Sequence, residues 1–520
     1  MTIWLYGPSG SGKSTIGGLL AQKLGLPFID LDHEIERLAG RTVSELFEQH
    51  GEAEFRQRER AALRQTLAGG PGVVALGGGA LLDPENRALV ENQGRVLCLR
   101  AAPERILSRL AEDSVPRPLL AGDPGGCLSS LLAARAEHYA SFQLQLDTTC
   151  LSPLEAAWEA HIRLGTFRIS AMGTGCTVNI RTGCLAEVAK GFIDAGLNGP
   201  AVVVSDQHVG PLYAPQVIAR LNSAGIQTGS VFIPAGEPHK NLSTCSQLWQ
   251  EFLLQKLERG STVLALGGGV VGDLAGFAAS VYLRGVAWVN LPTSLLAMVD
   301  AGLGGKTGVN LPQGKNLLGA FHAPRMVLID PQALTTLPPV EQRNGLAEVV
   351  KHGIIGDEGL FALCAQGLKG LSQDWETVIQ RAAAVKIKII EQDPYERGLR
   401  QVLNFGHTLG HALERALGYR IRHGEAVAIG MVAEARCAEA IGLAEKGLAT
   451  RIAACLTALG LATEIPASVD RQIFAEAIEF DKKKANGRVR FALPVRVGEV
   501  QHGVPLNRAM ELLESLRGEQ

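Results

Sequence analysis

Short apolar runs alternate with amphipathic stretches along the first 165 or so residues. Thr2–Tyr6 predicts a strand covered on both faces, Ser14–Leu24 a helix, and Gly72–Leu76 and Arg95–Leu99 two further strands. That rhythm implies βαβ units around a parallel sheet. It breaks near Arg163–Phe167 and then restarts. Ala201–Ser205, Thr262–Leu266 and Ala287–Leu291 each read as a strand followed by a Gly-rich or polar turn. Beyond about Pro331 the β-branched runs thin out, and Ala- and Leu-rich helical patterns dominate from Val340 to Leu461. Three domains are expected: 1–165 (α/β), 166–330 (α/β) and 331–520 (mostly α-helical). A chain of 520 residues is too long for one ordinary core.

Composition narrows the class. The chain is 46% hydrophobic and 20% charged, with a formal net charge of −2, so nothing draws it globally to nucleic acid or anionic lipid. Any phosphate binding must be local. Nine scattered cysteines with no C-x-x-C pair, in a chain this large, suit reduced thiols in a cytoplasmic protein. Met1-Thr2-Ile3-Trp4-Leu5-Tyr6 has no basic segment of the kind that opens a signal peptide. The longest apolar stretch, Thr262–Leu283, contains Asp273 and many glycines, unlike a membrane span.

Gly7-Pro8-Ser9-Gly10-Ser11-Gly12-Lys13-Ser14 fits the phosphate-binding loop G-x-x-x-x-G-K-[ST] between a predicted strand and helix. Its backbone N–H groups can cradle phosphates, with Gly10, Ser11, Gly12 and Thr15 lining the loop and helix start. Lys13 suits the β/γ oxygens of ATP, and the Ser14 hydroxyl suits Mg²⁺. Phe28-Ile29-Asp30-Leu31-Asp32 places two carboxylates two residues apart, on one side of a strand end. One could serve Mg²⁺ or its waters and the other a substrate hydroxyl.

Further along come Gly51-Glu52-x-x-Phe55-Arg56-x-x-Glu59, Gly77-Gly78-Gly79, Arg117-Pro118-Leu119-Leu120 and Arg135-x-x-x-Tyr139. With the phosphate loop, this set resembles shikimate kinase over residues 1 to about 160. The resemblance implies ATP with Mg²⁺ as co-substrate and shikimate as phosphoryl acceptor at its 3-hydroxyl. It implies that Asp32, Arg56, Gly78 and Arg135 hold the acceptor and that Asp30 assists the metal. Arg117, on a lid within Glu112–Gly126, would reach the transferred group. Gluconate kinase is the rival, disfavoured by Arg56, Gly77–Gly79 and Arg135 as a set.

Gly267-Gly268-Gly269-Val270-Val271-Gly272 satisfies G-x-G-x-x-G after a strand, a Rossmann-like feature, yet no acid lies about 20 residues downstream. Asp206 ends an earlier strand instead, which excludes a simple dehydrogenase reading. Lys306 and Lys315 lie in Gly-rich, otherwise uncharged text and suggest an anionic substrate. Glu348 and Lys351 share a helical face, His407 and His411 are four apart, and His423 follows. A carboxylate with imidazoles suits Zn²⁺ with an open position, and spacing alone would make both His407 and His411 ligands.

With Gly236-Glu237-Pro238-His239-Lys240, Tyr282-Leu283-Arg284-Gly285 and Asn404-Phe405-Gly406-His407, residues 167 to about 500 resemble 3-dehydroquinate synthase. The resemblance implies a Zn²⁺ or Co²⁺ site at Glu348, His407 and His423, with His411 on the substrate side. Substrate contacts carry over to Arg284, Asp300, Lys306, Asn316, Lys351, Lys386, Arg400, Asn404 and one lysine of 482–484, with Lys482 favoured. NAD⁺ contacts carry over to Asp206, Glu237, Lys240, Gly269, Val270, Val271, Gly272, Asp273, Thr293, Ser294, Lys306 and Lys315. The implied reaction turns a heptulosonate phosphate into 3-dehydroquinate and phosphate through transient oxidation, β-elimination, re-reduction, ring opening and aldol closure. A homodimer through this half is implied as well. Rivals are another sugar-phosphate cyclase, a metal-dependent alcohol dehydrogenase, or a catalytically dead, regulatory half.

Overall fold

Ile3 and Leu5 pack under the helices Lys13–Leu24 and Pro153–Leu164, while Trp4 and Tyr6 pack on the opposite side against Phe55, Leu63 and Phe142. This two-sided burial makes Thr2–Tyr6 the central strand of a parallel sheet. The computed structural model describes residues 2–112, 123–482 and 489–506. The chain divides into two compact units, Met1–Arg168 and Ile169–Gln520.

In the first unit the strands are β1 (Thr2–Tyr6), β2 (Phe28–Asp30), β3 (Val73–Ala75), β4 (Gly94–Arg100) and β5 (Leu144–Asp147). They lie in the order β2-β3-β1-β4-β5, every pair parallel. Long helices, Val43–Ala68 and Pro124–Ala140 among them, carry the polar residues that face the strand ends.

The second unit is built on a seven-stranded sheet. Its strands are β6 (Thr166–Ile169), which spans the division between the units, β7 (Cys176–Ile180), β8 (Ala201–Asp206), β9 (Thr228–Ile233), β10 (Thr262–Gly267) and β11 (Ala287–Pro292). An antiparallel hairpin, β12 (Lys306–Leu311) and β13 (Gly314–Phe321), precedes the last sheet strand, β14 (Met326–Ile329). The sheet order is β6-β7-β14-β11-β10-β8-β9. Side chains alternate faithfully: Val202, Val204, Val263 and Ala265 enter one core, Val203, Leu264 and Leu266 the other. β8 is the parallel neighbour of β10, so Asp206 and Gly267 end at the same edge of the sheet. That edge is where ligands bind in open α/β sheets.

Helices follow, including Pro339–Gly356, Trp375–Gln392, His407–Ala416 and His423–Ala440. The helical pattern of this segment did not disclose its antiparallel hairpin, β15 (Arg490–Arg496) and β16 (Glu499–Pro505). No helix among the described residues is long and apolar enough to cross a membrane.

Candidate active sites

The phosphate loop of the first unit is shaped by its glycines. Gly7 sits at φ 132°, and a Cβ there would lie 2.1 Å from the Leu99 carbonyl oxygen. Gly12, at φ 98°, caps the helix Lys13–Leu24. Lys13 Nζ donates to the Gly7 and Pro8 carbonyls, both at 2.9 Å. Ser14 Oγ donates to Asp30 Oδ2 at 2.6 Å, with Ser14 and Thr15 exposed at the helix start. Arg109 donates to Gly10 O at 3.3 Å and Thr148 O at 2.7 Å, while Thr148 Oγ1 donates to Ser11 O at 3.0 Å. The loop is thus tied to the end of β5.

Strand alternation does not relate Asp30 to Asp32. β2 stops at Asp30, the helix Leu31–Ala39 begins at once, and Asp30 Oδ1 accepts the Asp32 N–H at 3.1 Å as its N-cap. Asp32 nevertheless comes close to Glu59, since a Cβ on Gly77 would lie 3.0 Å from an oxygen of Asp32 and of Glu59 alike. Arg56 pairs with Glu59 at 2.7 Å and Glu52 at 3.0 Å. Glu59 is buried, and burial raises its pKa against the opposing pull of Arg56. The Gly78 carbonyl accepts from Tyr139 Oη (2.8 Å), Arg135 Nη1 (3.1 Å) and Tyr6 Oη (3.2 Å). Arg117 lies outside the described residues, as does most of its segment.

In the second unit the Gly-rich turn leaves β10 and enters the helix Gly269–Val281, with Gly268 as its cap and Val270, Val271 and Gly272 in the first turn. Thr293 N donates to Gly267 O at 2.9 Å, and Ser294 Oγ lies 3.3 Å from where a Gly268 Cβ would stand. Asp206 Oδ1 accepts from His208 N and Val209 N at 2.8 and 2.9 Å. Lys240 forms a buried ion pair with Asp273 and donates to Asn316 Oδ1 at 2.6 Å. Burial raises the Asp273 pKa and Lys240 opposes it. Glu237 Oε1 accepts from Asn310 at 2.8 Å.

Glu348 is fully buried on the helix Pro339–Gly356, paired with Lys351 one turn on. His407 Nε2 and His423 Nε2 approach the same oxygen, Glu348 Oε1, at 3.6 and 3.5 Å. One ligand atom from each of Glu348, His407 and His423 falls within 4.8 Å of the others. Neither Glu348 oxygen has a hydrogen-bond partner of good geometry, an arrangement that suits a cation. Burial would raise the Glu348 pKa, but Lys351 and the two imidazoles hold it well below the usual range. His407 opens its helix after Gly406, whose φ of 79° turns the chain where a Cβ would meet Met431. The exposed His411 ring is 5.2 Å from that of His407 and 6.0 Å from that of His423.

Around this cluster Lys386 pairs with Asp300 at 2.6 Å, and Lys306 pairs with Glu396. Asn404 donates to Glu396 at 3.1 Å, and buried Arg400 donates to the Pro394 and Gly304 carbonyls. Lys315 pairs with Glu414 at 3.1 Å. No hydrogen bond or ion pair among the described residues joins Arg284 to this group; it is exposed at φ 70°. Lys482 ends a helix, and its side chain, like all of Lys483 and Lys484, lies outside the description. Sequence reasoning passed over Glu396, Glu414 and the buried His352, 3.8 Å from Asp300. Glu414 alone had a visible signal, standing seven residues after His407 on the same helical face.

These folds and clusters define a phosphate-loop kinase joined to a dinucleotide- and metal-binding enzyme with a cation-rich pocket. Residues 9–163 match the family model for shikimate kinase. Residues 230–344 and 345–484 match those for 3-dehydroquinate synthase N-terminal and C-terminal regions. A 3-dehydroquinate synthase from Crocosphaera subtropica is 43% identical over 353 residues, covering 66% of this chain and 97% of that protein. A 2-deoxy-scyllo-inosose synthase, solved with carbaglucose-6-phosphate, NAD⁺ and Co²⁺, is 26% identical with a TM-score of 0.62, covering 68% of this chain and 99% of its own. A 2-epi-5-epi-valiolone synthase from Streptomyces hygroscopicus subsp. jinggangensis, with NAD⁺ and Zn²⁺ bound, is 29% identical with a TM-score of 0.60, covering 66% and 97%. The chain belongs to the 3-dehydroquinate synthase family in its second unit and to the shikimate kinase family in its first. It is a bifunctional enzyme, a phosphotransferase and a carbon–oxygen lyase of one pathway. The higher identity to 3-dehydroquinate synthases than to the two other cyclases disfavours a different cyclisation, and the kinase match disfavours a gluconate kinase.

Proposed function

We propose that Glu348, His407 and His423 hold a divalent metal, Zn²⁺ or Co²⁺, and that NAD⁺ lies on the Gly-rich turn with Asp206 at its ribose. The observation that carries this reading is the convergence of both imidazole Nε2 atoms on one oxygen of a fully buried carboxylate. When bound, NAD⁺ supplies a reversible hydride acceptor and the metal supplies Lewis acidity at the substrate hydroxyl. The protein's own residues do the rest. Lys306, Lys351, Lys386 and Arg400 bind the phosphate and carboxylate of the heptulosonate phosphate, Asp300 and Asn404 orient it, and His411 moves a proton on the substrate side. Lys240, Glu237, Asp273, Thr293, Ser294 and Lys315 fix the dinucleotide. Relatives solved with NAD⁺ and Co²⁺ or Zn²⁺ support the cofactor assignment.

In the first unit Lys13 exchanges the Gly7 and Pro8 carbonyls for the β/γ oxygens of ATP, and Ser14 with Asp30 holds Mg²⁺. Asp32 orients the 3-hydroxyl of shikimate while Arg56, Arg135 and the Gly78 backbone hold the acid. The hydroxyl oxygen bonds to the γ-phosphorus as the bond to ADP breaks in line, and the hydroxyl proton passes to the Asp32 carboxylate. Arg117 is assigned to the transferred group on the family resemblance alone.

The division of the second unit into NAD-binding residues to about 330 and metal-binding residues beyond is part of this reading. So are a homodimer through that unit, tested by solution mass, and a cytoplasmic location, in keeping with nine cysteines none of which is disulfide-bonded. The central test removes metal with a chelator and then adds excess Mg²⁺. The kinase should recover and the cyclase should not until Zn²⁺ or Co²⁺ is returned. Cyclase turnover by metal-free protein would overturn the assignment.

A further inference from the structure

We propose that Glu414 is a positioning residue shared by the metal cluster and the dinucleotide side of the second unit; the inference rests on His423 being a metal ligand. Glu414 lies on the helix His407–Ala416 with His407 and His411, at steps of four and three residues that keep all three on one face. Only 4% of it is exposed, so its carboxylate serves the interior. Its two oxygens have different partners. Oε1 takes the Lys315 ammonium at 3.1 Å, and Oε2 faces His423 Nδ1 at 3.7 Å.

The second contact sets the direction of the His423 ring. With Nδ1 turned to Glu414, Nε2 points at Glu348 Oε1. A carboxylate on one ring nitrogen selects the tautomer whose other nitrogen is free to bind a metal. The first contact reaches the other half of the site. Lys315 stands on β13 beside Asn316, whose side chain accepts from Lys240, itself paired with Asp273 beyond the Gly-rich turn. Neighbouring residues of one strand are therefore held by different groups, Lys315 by Glu414 of the metal-side helix and Asn316 by Lys240 of the dinucleotide side. Loss of Glu414 releases both the His423 ring and the Lys315 anchor.

One ligand atom each from His411, Glu414 and His423 also lies within 4.8 Å of the others, so the rival is that Glu414 is itself a ligand. The test uses the full-length enzyme as wild type, Glu414→Gln, Glu414→Asp and His423→Ala. Zn²⁺ affinity is measured by chelator competition, NAD⁺ affinity by titration, and ligand geometry by the visible spectrum of the Co²⁺-loaded protein. Glu414→Gln should lower Zn²⁺ affinity about 10–100-fold and weaken NAD⁺ binding measurably, yet keep the wild-type Co²⁺ spectrum at saturation. Glu414→Asp should recover part of both losses, which distinguishes positioning from a folding defect. His423→Ala, forced to bind by excess Co²⁺, should change the spectrum. Wild-type Zn²⁺ or NAD⁺ affinity in Glu414→Gln overturns the shared role while leaving the ligand set standing. A Co²⁺ spectrum altered as in His423→Ala makes Glu414 a ligand and overturns it too. An unaltered His423→Ala protein strikes instead at the ligand set on which the inference rests.

Discussion

Lys386 holds Asp300 at two points, donating to its carboxylate at 2.6 Å and to its main-chain carbonyl at 2.7 Å. Burial lowers the Lys386 pKa, and the Asp300 carboxylate opposes that fall. Asp300→Asn leaves that ammonium without its counter-ion. Equilibrium unfolding of the second unit should show a loss of about 2–3 kcal/mol, with cyclase kcat/KM falling by at least about tenfold. An unchanged stability and kcat/KM would remove the pair from the site.

Lys13→Ala should lower shikimate phosphorylation by about 10²–10³-fold and leave cyclase turnover nearly unchanged. Coupled assays of both reactions on one preparation check this. Loss of both activities in a folded variant would contradict two separate sites.

His407→Ala and His423→Ala should each release the metal, whereas His411→Ala should keep it at full stoichiometry and lose turnover. Elemental analysis after gel filtration decides the matter. Metal loss from His411→Ala would favour the ligand pair that spacing alone suggests.

Burial pushes the pKa of His161 down to about 4 from 6.5, with its Nδ1 against the Thr166 carbonyl at 2.9 Å. The unfolded chain therefore binds the proton more readily than the folded one. The neutral ring's contribution is fully present above pH 6.5 and is lost as pH falls through about 4. The shift corresponds to about 3 kcal/mol. Chemical denaturation of the first unit from pH 7 to 4 should show this decline, and His161→Phe should flatten it.

Cutting the gene between Gly165 and Thr166 keeps β6 with the strands it joins. Two soluble proteins should result, each with most of its kcat, because each unit carries its own residue set. In the pathway the families imply, dehydration and reduction separate the two reactions, so transfer between active sites has no chemical motive. A folded but inactive separate kinase, or shikimate altering cyclase kinetics in the intact chain, would show coupling instead.

The elements that sequence made legible were those with a strong local pattern. Thr2–Tyr6 and Thr262–Gly267 are buried on both faces, and Gly7, at φ 132°, marks a turn after the first that side-chain-bearing residues rarely make. Asp30 and Asp32 misled because a three-residue strand gave way to a helix, and the first carboxylate became the cap of the second. Glu396, in a turn after Pro394, and Glu414, on a helix, were missed because an isolated glutamate in either setting reads as a solvated charge. Only the fold shows that Glu414 is buried and that both meet lysines distant in sequence. The β12–β13 hairpin escaped because its strand β13 is largely exposed and has little alternation of apolar and polar positions.

Five lysines of the second unit, Lys240, Lys306, Lys315, Lys351 and Lys386, already stand against Asp273, Glu396, Glu414, Glu348 and Asp300. An arriving anion therefore trades places with an internal counter-ion and does not simply add to a positive basin. A small free anion gains little from one such trade, because the lysine merely swaps one carboxylate for another oxyanion. A ligand that carries phosphate and carboxylate at a fixed separation can make several trades together. Such pairing therefore favours a ligand that meets several lysines together over a small free anion that meets one.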